Sequence, residues 1–240
     1  TTYAAPETHD DFHYDTKRTS YPDLLQPINE DNTVTLTKGE WNSLWFKYTP
    51  EMDYIAGSNS ITVFLKKGMY DENNKHIFSL KTLPRQLPMQ DLIYTNWMHY
   101  DCLYKHYNVE PFTEEFWQLL RNYLKNAVAH GLNMIYTPIF TPPLDTEVGG
   151  ERPTFQLVEV DRIDVGYRFS FRHFDKFIKT CIECGIRYFE ISHLFTQWGA
   201  KHAPKVIAIV NGEKKRIFGW ETDASSEEYK EFLGCLIPAI

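Results

Sequence analysis

The spacing of apolar residues changes near residue 88. Before it, short segments alternate with period two. Residues 33–37, 60–65 and 76–80 read as strands, and Lys38-Gly39 supplies a turn before an apolar stretch at 41–48. Residues 1–32 are polar, broken by Pro6, Pro22 and Pro27, and read as extended chain. Short strands separated by turn residues predict a β-sandwich-like domain over residues 1–88, with Pro84 and Pro88 stiffening the connector that follows.

Beyond the connector, strand-like and helix-like patterns alternate. Residues 92–97 form a strand pattern. Thr113 is then a predicted N-cap, with Glu114 and Glu115 in the first turn and Phe116, Leu119, Leu120, Tyr123, Leu124 and Val128 at helical spacing up to Gly131. Residues 133–140 are the next strand, residues 154–160 and 167–169 a hairpin, and Phe174, Phe177, Ile178, Cys181 and Ile182 mark a helix closed by Gly185. A third strand covers 186–192. Asn211-Gly212 between 206–210 and 214–218 is a type I′ hairpin signal, and Ser226 caps a last helix carrying Tyr229, Phe232, Leu233, Leu236 and Ile237. That last apolar stripe has no following strand in the sequence to cover. Repeated strand and helix units predict the opening of a (β/α)8 TIM-like barrel over residues 89–240. Such a barrel needs about 250 residues by itself, so the expectation is an incomplete barrel or a smaller open sheet.

Composition narrows the function classes. A net charge of -7 removes any electrostatic case for nucleic acid or an anionic membrane surface. No run of about 18 apolar residues is present, so no membrane span is expected. Neither a dinucleotide nor a phosphate-binding glycine motif occurs, and no cofactor is expected. Cys102, Cys181, Cys184 and Cys235 form no dense disulfide framework. The Cys181–Cys184 spacing lacks a second pair and reads as buried thiols on a helix. A cytoplasmic location is expected unless a leader precedes Thr1. Oligomeric state leaves no trace in the pattern. Aromatic residues make up 15% of the chain, a supply suited to stacking on sugar rings.

Ligands in parallel α/β folds bind beyond the carboxyl ends of the strands, so the strand ends are where chemistry is expected. Trp97, His99 and Asp101 end the first strand, and an indole beside a carboxylate suits a sugar, with stacking on one and hydroxyls on the other. In the third strand Glu190 and Ser192 share one face, while Phe189 and Ile191 share the other. Glu190 then either meets substrate or orients His193, the competing reading being a buried ion pair with Arg187 or another base. His193, Gln197 and Trp198 follow in the loop, and Trp220 and Glu221 lie at a later junction with Asp223. A metal site would require His99, Asp101 and Glu190 to converge. The adjacent acids Asp10-Asp11, Glu114-Glu115 and Glu227-Glu228 sit in a polar tail or in helix first turns, so none is expected to be a catalytic pair.

Three longer strings add a resemblance. Tyr94-Thr95-Asn96-Trp97-Met98-His99-Tyr100-Asp101, Thr137-Pro138-Ile139-Phe140-Thr141-Pro142-Pro143-Leu144-Asp145 and Phe189-Glu190-Ile191-Ser192-His193-Leu194-Phe195-Thr196-Gln197-Trp198-Gly199 resemble the bacterial glycoside-hydrolase-like family that contains substrate-assisted β-N-acetylgalactosaminidases. Tyr21-Pro22-Asp23-Leu24-Leu25 and the strand-rich region resemble that family's N-terminal β-sandwich. The resemblance implies a β-sandwich beside a (β/α)8 barrel and a glycan partner containing a 2-acetamido sugar. It also implies a retaining mechanism in which an Asp-Glu pair, in an Asp-Glu-Pro setting after a later strand, supplies the proton and orients the acetamide. The sequence contains no Asp-Glu-Pro, so the pair is expected beyond Ile240 and no residue here inherits its role. A carbohydrate-binding or structural protein without turnover is the alternative.

Overall fold

The computed structural model describes residues 91–144, 146–196 and 199–240, and before them 2–3, 19–20, 25–28, 30–31, 33–35, 38–39, 43–49, 57–64, 75–84 and 88. The chain divides into two compact units, Thr1–Leu87 and Pro88–Ile240. In the first, β1 (Thr2–Tyr3) pairs antiparallel with β2 (Thr19–Ser20), and β3 (Gly57–Phe64) pairs antiparallel with β4 (Lys75–Thr82). Asn59, Ile61 and Val63 are the half-buried positions of β3, the period-two signature that marked this segment in the sequence. Residues 33–35 form no ladder, unlike the strand expected there, and residues 36 and 37 lie outside the described residues.

The second unit is built around parallel pairing. β5 (Met134–Thr137) pairs in parallel with β8 (Tyr188–Ile191), and Thr95 bridges in parallel to Met134 on the other side. α2 (Glu114–Ala129) connects the first two of these segments and α3 (Arg172–Glu183) precedes the third. Thr113 caps α2, its hydroxyl accepting from the Phe116 N–H at 3.3 Å. Phe116, Trp117, Leu120, Leu124, Phe177, Cys181 and Ile135 form one buried core between these helices and the strands. Cys181 is fully buried, and burial pushes its thiol well above the usual thiol range, so it behaves as a small apolar core residue.

Gly185 closes α3 at φ +105°, and a Cβ there would lie 3.0 Å from Val128 Cγ1. Gly185→Ala is therefore expected to destabilise the unit by roughly 1–3 kcal/mol, measured by denaturant unfolding. An unchanged midpoint would show that the turn relaxes without strain.

One helix was not expected. α1 (Tyr100–Tyr107) begins inside the junction read from the sequence as polar loop, and it buries Tyr100 and Leu103 while Asn108 ends it in the left-handed conformation. Tyr100, Leu103, Tyr104 and Tyr107 do have helical spacing, but Asp101, Lys105 and His106 interrupt it within two turns.

The last helix packs on a sheet made by two hairpins. β6 (Glu159–Arg162) and β7 (Tyr167–Ser170) form a hairpin whose first strand lies beyond most of the expected 154–160, whereas β9 (Val206–Val210) and β10 (Glu213–Phe218) form the expected one, with Asn211 and Gly212 both at positive φ. The two hairpins join through a parallel β6–β9 pairing into one sheet of order β10-β9-β6-β7. α4 (Glu227–Leu236) covers this sheet, burying Tyr229, Phe232 and Leu236 with Val158, Val160, Val206 and Phe218. Its apolar stripe thus has a sheet to cover, built from segments that precede it.

Candidate functional site

The strand register determines which side chains meet. Tyr136 and Glu190 are direct parallel partners, and Trp97 lies two residues beyond the Thr95–Met134 bridge. Trp97, Tyr136 and Glu190 therefore stand in one row on one face, while Phe189 points to the helix-covered core. The Trp97 indole N–H donates to Glu190 Oε2 at 2.9 Å. Trp97 packs against Tyr136 at 5.1 Å between ring centroids and edge-on to His193 at 5.5 Å. The Tyr136 hydroxyl lies 3.3 Å from His193 Nδ1. A carboxylate and a phenol thus hold an indole and an imidazole together.

Exposure divides this quartet by role. Tyr136 is 1% exposed and supports the group from beneath, whereas Trp97 is 45% exposed and His193 is also open to solvent. Burial pushes the Tyr136 phenol up to about 12, with the nearby Glu190 carboxylate adding to it and hydrogen bonds from the His193 backbone and the Ser192 side chain opposing it. The phenol therefore keeps its proton throughout the neutral range. A half-exposed indole next to fixed polar groups is suited to a sugar, whose C–H face stacks while its hydroxyls are bonded at the rim.

The other expected site residues take different places. Asp101 is 7% exposed in the first turn of α1, and Arg152 Nη2 donates to both of its carboxylate oxygens at 3.0 Å. His99 precedes α1 and lines a small cavity with Asp101, Arg152 and Tyr136. Trp220 donates its indole N–H to the Gly150 carbonyl at 2.7 Å, and Glu221 pairs with Arg216 at 3.1 Å. Trp220 thus ties the 141–153 loop to the end of the β9–β10 hairpin, as do the Arg216–Glu151 pair and the Lys205 ammonium, which donates to the Arg152 carbonyl, while Glu221 folds back onto β10. Gln197 and Trp198 lie outside the described residues. A separate open depression of about 530 Å³ is lined by Phe195, Lys201, His202, Asp223 and Ser225.

Among the described residues, no three His, Cys, Asp or Glu side chains are gathered as a metal ion would require, so the convergence of His99, Asp101 and Glu190 is not found there. No helix among them is long and apolar enough to cross a membrane. Glu114-Glu115 and Glu227-Glu228 occupy the first turns of α2 and α4. Sequence reasoning missed Tyr136 and Arg152. Tyr136 lies inside a strand, where an aromatic residue signals only core, and Arg152 sits in a loop rich in charge.

Residues 97–240 match the family described as glycoside hydrolase 123, catalytic domain. A solved structure of a family 123 glycoside hydrolase from Clostridium perfringens, described in terms of glycolipid glycan hydrolysis, is similar with a TM-score of 0.61 and 14% identity. The similarity covers 78% of this chain and 34% of that one, so the chain spans about a third of the length of that structure. No curated protein matches the chain.

Proposed function

The chain belongs to the glycoside hydrolase 123 family, and from that membership we propose that it carries the sugar-binding part of a glycosidase acting on N-acetylhexosaminides by retaining, substrate-assisted hydrolysis. The observation that supports this most is the Trp97–Glu190–His193 group, an exposed ring fixed by a carboxylate at the end of parallel strands. In this reading Trp97 stacks on the pyranose, and the Glu190 oxygen not bonded to the indole accepts from a sugar hydroxyl. In this reading no residue here is given the role of the acid that protonates the leaving oxygen or of the carboxylate that orients the acetamide, because no adjacent acidic pair in the described residues stands at a strand end. The parallel row of three strand segments supports a (β/α)8 arrangement for the second unit, and the β3–β4 ladder supports a sandwich for the first.

The test is binding rather than turnover. N-acetylgalactosamine and N-acetylglucosamine are titrated against the chain and against Trp97→Ala. Loss of one aromatic platform is expected to weaken binding about tenfold, taking a stacked ring as worth about 1.5 kcal/mol. The unfolding midpoint should barely move, since the ring is half exposed. Equal affinity in both proteins would remove Trp97 from the site. A protein that binds sugar while the full-length gene product hydrolyses no N-acetylhexosaminide would favour the non-catalytic carbohydrate-binding alternative.

A further inference from the structure

Tyr136 holds a position that packing alone does not explain. The residue is 1% exposed, and its hydroxyl lies within hydrogen-bond distance of the exposed imidazole. A phenol has one proton to donate, and a buried hydroxyl left without an acceptor forfeits a hydrogen bond, so that proton has to be placed on a neighbour. The ring nitrogen facing it at 3.3 Å is His193 Nδ1. A neutral imidazole that accepts at Nδ1 must carry its hydrogen on Nε2.

We propose that Tyr136 is a positioning residue that fixes neutral His193 as the Nε2–H tautomer, so that the imidazole presents a donor to a sugar oxygen while Glu190, across the Trp97 ring, presents an acceptor. Trp97 restricts rotation of the imidazole by its edge-on contact, and Glu190 in turn restrains the indole through Nε1. The three groups then read a sugar by one stacked face, one accepted hydroxyl and one donated hydrogen bond. This inference rests on the sugar-binding reading for its purpose. The tautomer itself exists without sugar and is measured without it.

The experiment is a two-bond 1H–15N spectrum of the histidine rings in the 240-residue chain, without ligand and at a pH where His193 is neutral, for the unsubstituted protein and for Tyr136→Phe. The unsubstituted protein should show Nδ1 as the unprotonated nitrogen and Nε2 as the protonated one, with no detectable Nδ1–H form. Tyr136→Phe removes the donor while keeping the ring, and the Nδ1–H form should rise several-fold to the mixture of a free imidazole. Sugar affinity should fall several-fold in the same variant, with the Trp97 indole resonance still responding. A His193 protonated on Nδ1 in the unsubstituted protein would overturn the assignment even if Tyr136→Phe failed to fold. So would an unchanged tautomer ratio in a folded Tyr136→Phe. A correct tautomer in a chain that binds no sugar would instead remove the sugar-binding reading and leave the tautomer assignment standing.

Discussion

Asp101→Ala is expected to destabilise the second unit by about 3–5 kcal/mol, because it leaves the Arg152 guanidinium buried without its countercharge. The two side chains are 10% and 13% exposed, and Arg152 meets both Asp101 oxygens while its other nitrogen donates to the Leu144 carbonyl at 3.0 Å. Asp101 also stands in the first turn of α1, where a negative charge is favoured by the helix dipole. Removing it therefore loosens α1 and the 141–153 loop together. Arg152→Met should be comparably damaging. The double variant should cost less than the sum of the two, since each single change already breaks the same pair. Urea unfolding of the four proteins gives the cycle. A loss below about 1 kcal/mol for Asp101→Ala would mean that the carboxylate behaves as an exposed charge. It would then be free to act as the ligand contact that its neighbourhood suggested.

The second large effect is expected at Phe232. Its ring is fully buried on α4 and lies 4.9 Å from Tyr167, 5.0 Å from Phe218 and 5.6 Å from Phe140 between centroids. These neighbours come from β7, β10 and the segment after β5, so this one side chain joins the helix to both hairpins. Phe232→Ala should cost about 3–5 kcal/mol, combining lost burial with a cavity that the surrounding rings cannot fill. Phe232→Leu, which keeps most of the volume, should cost appreciably less. If Phe232→Ala were nearly neutral in thermal unfolding, α4 would not be held by the mixed sheet, and its apolar stripe would need another surface.

Local rules made much of this fold legible. Thr113 before Glu114 and Glu115 marked the start of α2, Asn211-Gly212 marked a hairpin, and Ser226 marked α4, because capping and turn formation depend on residues within a few positions. The parallel β6–β9 pairing was not legible, since Val160 and Ala208 meet only through tertiary packing. α1 escaped notice because its helical spacing lasts two turns and is interrupted by Asp101, Lys105 and His106 among its eight positions. The site divided along the same line. Trp97, Glu190 and His193 could be named because strand ends attract function, and the structure brings them into contact. Asp101 looked equally available, but its partner lies 51 residues away and no sequence spacing announces it. Tyr136 gave the opposite error, its hydroxyl concealed by a strand position that suggested core alone.

The most direct measurement follows the tryptophan indole resonances of the whole chain as N-acetylgalactosamine or N-acetylglucosamine is added, with assignments from single Trp→Phe variants. Trp97 donates to Glu190 and is half exposed, whereas Trp117 is fully buried and donates to the Phe112 carbonyl at 3.0 Å, so the two serve as probe and control. The account predicts that the Trp97 indole signal moves saturably with sugar while that of Trp117 stays in place. A saturable response that bypasses Trp97, or none for either sugar, would contradict the assignment of this row of strand residues as the sugar site.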